Sequence, residues 1–167
     1  MTPAELRGLP RRELARVMAR GRAFDPETVA GWTYRGITLG LPALVERLTW
    51  TKFAKAFLRD PAATRVRGWN VRIEQDGLDR PWRPQLRDGA PVTFGDFVVA
   101  ITPGGVVLDY RVDRTPLRVL RDPIVALDDA ADVLIGRSLV QLGPATLGTP
   151  AYFVLERDHP VDHARAR

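Results

Sequence analysis

The 167-residue sequence predicts a mainly β chain: a small antiparallel barrel of about eight to ten strands with a short N-terminal helix. Three observations predict it. From Val29 onward the chain breaks into short runs rich in β-branched and aromatic residues, separated by Gly, Pro, Asn and Asp. Several runs, notably Val133–Leu142 and Phe97–Ile101, are apolar on both faces, as expected where one face lines an interior and the other lies under a helix. So many short strands would leave exposed edges, and closure into a barrel removes them.

Pro10 to Arg20 reads as a helix: Pro suits the first turn, Leu14, Val17 and Met18 fall on one face, and Gly21 can end it. Arg12, Arg16 and Arg20 occupy the opposite face. Val29–Leu39 follows as a strand, with Gly31 and Gly36 marking bends or close backbone approach. Leu41–Thr49, behind Pro42, has Leu44, Val45 and Leu48 at helical spacing. Trp50–Leu58 fits either a helix face or a strand. Thr64–Gln75 reads as a long strand with Trp69, Val71 and Ile73 on one face and Asn70, Arg72 and Glu74 on the other. Asp76–Gly77 turns the chain into an irregular loop broken by Pro81, Pro84, Gly89 and Pro91. Val92–Ile101 and Val106–Val112 form the clearest hairpin, across Thr102-Pro103-Gly104-Gly105. Further runs lie at Leu117–Arg121, Ile124–Leu127, Val133–Leu142 and Ala151–Arg157. The expected division is a basic helical segment over 1–24, a barrel over 25–157 and a flexible tail over 158–167.

The net charge of +5 suggests nucleic acid until it is located. Residues 1–24 carry six arginines against Glu5 and Glu13, and the last eleven residues add a further excess of one, so the intervening body is neutral. A neutral body has no field to steer an anion, and no aromatic residue interleaves the helical arginines. No specific nucleic-acid partner is implied. Of the 25 basic residues only Lys52 and Lys55 are lysines, a preference that looks like codon bias and sets those two apart. There is no cysteine, which removes disulfides, thiolate metal ligation and thiol nucleophiles. No apolar run is long enough for a membrane span, and the N-terminus lacks a secretory core, so a cytoplasmic location is expected.

Gly31-Trp32-Thr33-Tyr34-Arg35-Gly36, then Leu44-Val45-Glu46, then Trp50-Thr51-Lys52-Phe53 and Lys55-Ala56-Phe57 resemble the pattern of bacterial GXWXG-type proteins. There a Gly-aromatic-Gly strand is followed by a short helix and a Trp-x-x-Lys-x-Phe strand. The ending Thr149-Pro150-Ala151-Tyr152-Phe153-Val154-Leu155-Glu156-Arg157 is similar to the last strand of those chains. The broader likeness is to calycin barrels: lipocalins, fatty-acid-binding proteins and nitrobindins. It implies a calycin-like barrel whose lumen takes an apolar ligand.

Chemistry-bearing residues are few. His159 and His163 fall in the expected tail with Pro160 between them, against a shared metal. A nitrobindin-like heme site would need a proximal histidine on a late strand, and His159 lies just past the last expected one. Ser138 is the only serine and has no core histidine to activate it. No phosphate-cradling fingerprint is present. No cofactor or metal is implied. By alternation Tyr34, Asn70, Arg72, Glu74, Tyr110, Arg137 and Tyr152 are candidates to project into the lumen. A buried Arg137 would need a carboxylate, with Glu74, Asp109 or Glu156 available. Lys52 and Lys55 invite a Schiff-base or general-base role, and a structural one equally.

The expected function is binding of a small, largely apolar molecule in the lumen, with Tyr34, Asn70, Arg72, Tyr110, Arg137 and Tyr152 orienting its polar end. Two alternatives stay open. One is a lumen-based cyclase or isomerase using Glu74 or Asp109, its pKa raised by burial. The other is a non-catalytic interaction module using the Arg-rich first helix. A homodimer also stays open.

Overall fold

The computed structural model describes residues 1–40 and 51–161. The helical turns expected over Leu41–Thr49 lie outside the described residues. Two helices open the chain where one was expected. The first, α1 (Pro3–Arg7), starts from a capping box in which Thr2 accepts from the Glu5 backbone and the Glu5 side chain accepts from the Thr2 backbone. The second, α2 (Arg11–Arg20), begins behind Pro10 and ends at Gly21, as its sequence predicts.

Among the described residues ten strands follow: β1 (Trp32–Leu39), β2 (Lys52–Asp60), β3 (Arg65–Arg72), β4 (Leu86–Arg87), β5 (Ala90–Pro91), β6 (Thr93–Thr102), β7 (Gly105–Asp109), β8 (Leu120–Ala126), β9 (Val133–Leu142) and β10 (Ala145–Pro160). Eight of them close into an antiparallel barrel in the order β1-β10-β9-β8-β7-β6-β3-β2, and β4 and β5 form a separate small hairpin. The structure is thus mainly β, as the alternation of short apolar runs predicts. The ambiguous segment after Trp50 is a strand because β1 and β3 supply ladders on both its sides. The clearest hairpin is also confirmed, with Thr102 opposite Gly105. Its second strand stops at Asp109 because that carboxylate accepts from the Arg111 backbone and caps a 3-10 turn over Tyr110–Val112.

The C-terminal end differs from expectation. Asp158 and His159 were assigned to a tail, but β10 continues through them, with Thr33 opposite His159 and Trp32 opposite Pro160. Val161 is buried and its backbone N–H donates to the Gly31 carbonyl at 2.8 Å. The ladder from β1 therefore orders residues whose polarity suggested a loose end.

Side chains alternate across each strand, so one face of the barrel fills the interior. The inner set includes Tyr34, Phe57, Phe97, Tyr110, Leu134 and Phe153, all in one buried cluster. A second apolar layer lies outside. Leu6 and Leu14 of the helices pack on Leu39, Ile135, Tyr152 and Val154 of β1, β9 and β10. Strand β9 is apolar on both faces because both are covered. No described helix is long and apolar enough to cross a membrane.

Candidate functional site

One end of the barrel is closed by polar groups that satisfy one another. Tyr34 donates to the Ala131 carbonyl at 2.8 Å, and Arg157 Nε donates to the Tyr34 hydroxyl at 3.2 Å. The Arg157 guanidinium also reaches the Thr28 and Ala130 carbonyls and lies 5.1 Å from the centroid of the Trp32 ring. Burial pushes the Tyr34 phenol up despite the nearby arginine. Among the described residues, the polar groups of this floor pair with one another.

Above it the rings interlock. Tyr34 and Phe57 meet edge to face at 5.4 Å, Phe57 and Phe97 at 5.5 Å, and Phe97 and Tyr110 at 5.3 Å. Glycines on the inner face make room for other rings. A methyl group at Gly36 would stand 2.3 Å from the Phe53 ring, and one at Gly136 would stand 2.3 Å from the Phe153 ring.

Within this aromatic shell sits a buried polar cluster. Lys55 Nζ donates to Asn70 Oδ1 at 2.7 Å and to the Tyr110 hydroxyl at 2.6 Å. Asn70 in turn donates to the Gly95 carbonyl at 3.0 Å, where Gly95, at φ +61°, stands where the β3–β6 pairing shifts register. The rings of Phe53, Phe97, Tyr110 and Phe153 all lie 5.2 to 5.3 Å from the ammonium. Asp122, from β8, completes the group beside Tyr110 and Ser138. Its Oδ1 is buried without a hydrogen-bond partner among the described residues.

Burial sets the electrostatics. Desolvation pushes Lys55 down to about 8, opposed by the Asp122 charge. The same desolvation pushes Asp122 up, against the pull of Lys55. The Tyr110 phenol is pushed well up by burial and further by Asp122. The arrangement is an amine, a phenol and a carboxyl group, each disfavoured as an ion, in one low-dielectric space.

Among the described residues, the cluster lies next to the less buried end of the barrel. On the inner face Lys55, Asn70, Asp122 and Gly136 are buried, whereas Phe53, Arg72, Leu120 and Ser138, two positions further along their strands, are half-buried.

The predicted site residues separate accordingly. Asn70 and Tyr110 join the cluster, and Arg72 stands at the less buried end, its guanidinium 5.6 Å from the Phe94 centroid. Arg137 and Tyr152 do not enter the lumen, contrary to expectation. They pair on the outer face, with the Arg137 guanidinium 5.4 Å from the Tyr152 centroid and its Nε donating to the Thr149 carbonyl at 3.1 Å. Gly136 takes the inner position of β9 and gives its space to the Phe153 ring, which fixes the parity of its neighbours. Arg137 therefore needs none of the carboxylates offered to it.

The two alternative catalytic carboxylates also fall outside the cluster. Glu74 lies beyond β3 in the following loop, where its backbone donates to the Arg83 carbonyl at 2.9 Å. Asp109 is buried, which would raise its pKa, yet Arg111 and Arg121 at its two oxygens hold it below the usual carboxylate range. The carboxyl group that burial does raise is Asp122, which the sequence reading missed. The period-two pattern of Asp122, Ile124 and Ala126 was the available signal.

The two lysines have different tasks. Lys52 points outward, where Nζ binds Asp76 at 2.5 Å and the Gly77 carbonyl at 2.8 Å and lies 5.6 Å from the Trp82 ring centroid. It clasps the loop after β3 over the outer face of β1, β2 and β3. Between loop and sheet is a cleft of about 580 Å³, floored by Ala54 and Ala56, walled by Trp69 and Trp82, with Arg35, Asp158 and His159 at its polar side. His159 thus faces outward, away from any lumen ligand. His163 lies outside the described residues.

Arg12, Arg16 and Arg20 are exposed on α2 as expected, with Arg12 and Arg16 both close to Glu13.

No family model matches the chain, and no curated protein matches it. Among solved structures it is similar to one titled Odorant Binding Protein OBP1, with 11% identity over 86% of this chain and 80% of that one, at a TM-score of 0.41.

Proposed function

We propose that the protein binds a small, largely apolar molecule in the barrel lumen, entering at the end marked by Phe53, Arg72 and Ser138. The polar end of the ligand would meet Lys55, Asn70, Tyr110 and Asp122. The observation that carries this reading is the buried polar cluster one pleat beneath a half-buried aromatic ring. Ligand pockets combine apolar walls with a few convergent polar groups. Asp122 Oδ1, buried without a hydrogen-bond partner among the described residues, supports the reading.

Binding of the neutral dye Nile red tests both the activity and its place. Ser138→Trp puts a large side chain on the inner face at the less buried end, and Ala54→Trp fills the outer cleft. The lumen reading expects at least tenfold weaker dye binding in Ser138→Trp and unchanged binding in Ala54→Trp. The reverse pattern would move the site to the outer cleft, and no saturable binding by the unaltered protein would reject the reading.

A further inference from the structure

Lys55 need not act only as a hydrogen-bond donor. We infer that the lumen captures carbonyl compounds, apolar aldehydes in particular, by reversible condensation with the Lys55 amine. The inference rests on the lumen-binding reading above and deepens it by naming the chemical class of the ligand.

The geometry supplies each role. Nζ is held from two sides by Asn70 and Tyr110 at 2.7 and 2.6 Å, which fixes the amine, and the rings of Phe53 and Phe153 lie 5.3 Å from it. Those rings are the apolar surface an incoming aldehyde would lie against. Desolvation favours the neutral, nucleophilic amine, consistent with its lowered pKa. Asp122, beside Tyr110 and Ser138 and close enough for its charge to act on Lys55, is the group placed to carry the protons.

In the reaction the Lys55 lone pair forms a bond to the carbonyl carbon, and the C=O π pair moves to oxygen. That oxygen takes a proton from Asp122, and the nitrogen returns one to the carboxylate. Loss of the hydroxyl as water, with the same proton passed back from Asp122, gives the iminium, which releases its proton to form the neutral imine. One aldehyde and one amine become one imine and one water, with no oxidant or reductant.

Two lysines make the test sharp, because Lys52 is an internal control only three residues away. It too is buried, but it is tied to Asp76 and Gly77 and lies outside the barrel. The intact protein is incubated with cinnamaldehyde, trapped with cyanoborohydride and mapped by peptide mass spectrometry. The expected result is at least tenfold more secondary amine at Lys55 than at Lys52 in the folded chain, equal labelling of both in urea, and capture that accelerates from pH 7 to 9. Lys55→Met abolishes the selective adduct. Asp122→Asn keeps the amine, so a loss of capture rate at least tenfold larger than its loss of affinity for cinnamyl alcohol shows that the carboxyl group moves the protons.

Equal labelling of the two lysines in the folded chain, or protection of both, overturns the proposal. The alcohol keeps the two readings apart. If cinnamyl alcohol binds while the aldehyde leaves Lys55 unmodified, the condensation is wrong and the binding site stands. If neither binds, the lumen reading itself fails.

Discussion

A buried amine should make stability depend on pH in a window where most proteins are flat. Burial holds Lys55 near 8 in the folded chain, whereas an unfolded lysine releases its proton near 10.4. Between those values the unfolded chain carries the proton and the folded chain does not. The unfolded state thus binds more protons, and stability rises with pH through the window. At about 1.4 kcal/mol per pH unit, the full rise is about 3 kcal/mol, developed between roughly pH 8 and 10.5 and absent below 8. Lys55→Met keeps an unbranched apolar side chain of similar length and deletes the titration. Urea unfolding of both proteins across this range isolates the Lys55 contribution, because the tyrosines titrate in each. The difference in unfolding free energy between wild type and variant should shift by about 3 kcal/mol in favour of wild type as the pH rises. Parallel curves would refute the reasoning, since they would mean a lysine that titrates as if in water.

Four other substitutions probe the parts that shape the site. Gly36→Ala forces a methyl group into the Phe53 ring at 2.3 Å, so it should cost about 1–3 kcal/mol in urea unfolding. Phe53→Ala in the same chain should recover part of that loss, giving a coupling energy well away from zero. Lys52→Met removes the clasp on Asp76, Gly77 and the Trp82 ring, so chymotrypsin should cut after Trp82 at least tenfold faster while the far-ultraviolet spectrum stays that of the barrel. Asp122→Asn removes the negative charge that opposes the desolvation of Lys55, so the rise in stability with pH should begin below pH 8.

Much of the barrel could be read from alternation because most strands bury one face in a shared interior. The span Val133–Leu142 matches β9 end to end. In β3 the separation of Trp69 and Val71 from Asn70 and Arg72 also holds. Alternation gives two faces but does not say which is inner when both are covered. Helices cover one outer face, and the loop after β3 covers another, so apolar residues such as Ile135 and Trp69 lie outside. That ambiguity placed Arg137 and Tyr152 in the lumen. The capping box at Thr2 and Glu5 was present in the sequence, and α1 was missed only because the segment is short. The closing contacts of β10 could not be read locally, because the partners that order Asp158 and His159 lie more than a hundred residues earlier in β1.

The site was legible in pieces. Asn70 and Tyr110 were identified by type and parity, and Lys55 by its rarity. Their convergence depends on closure, which brings β2, β3, β8 and the turn after β7 around one point. Asp122 was missed because its neighbours Arg121 and Pro123 make the segment look like a polar turn, whereas β7 and β9 pair on either side of it.

The most direct measurement of the central claim is the set of intermolecular nuclear Overhauser effects between bound Nile red and the aromatic protons of the protein. The account predicts contacts from the dye to Phe53 and Phe153 at the less buried end of the lumen. Contacts to Trp69 and Trp82 instead would place the ligand in the outer cleft and contradict it.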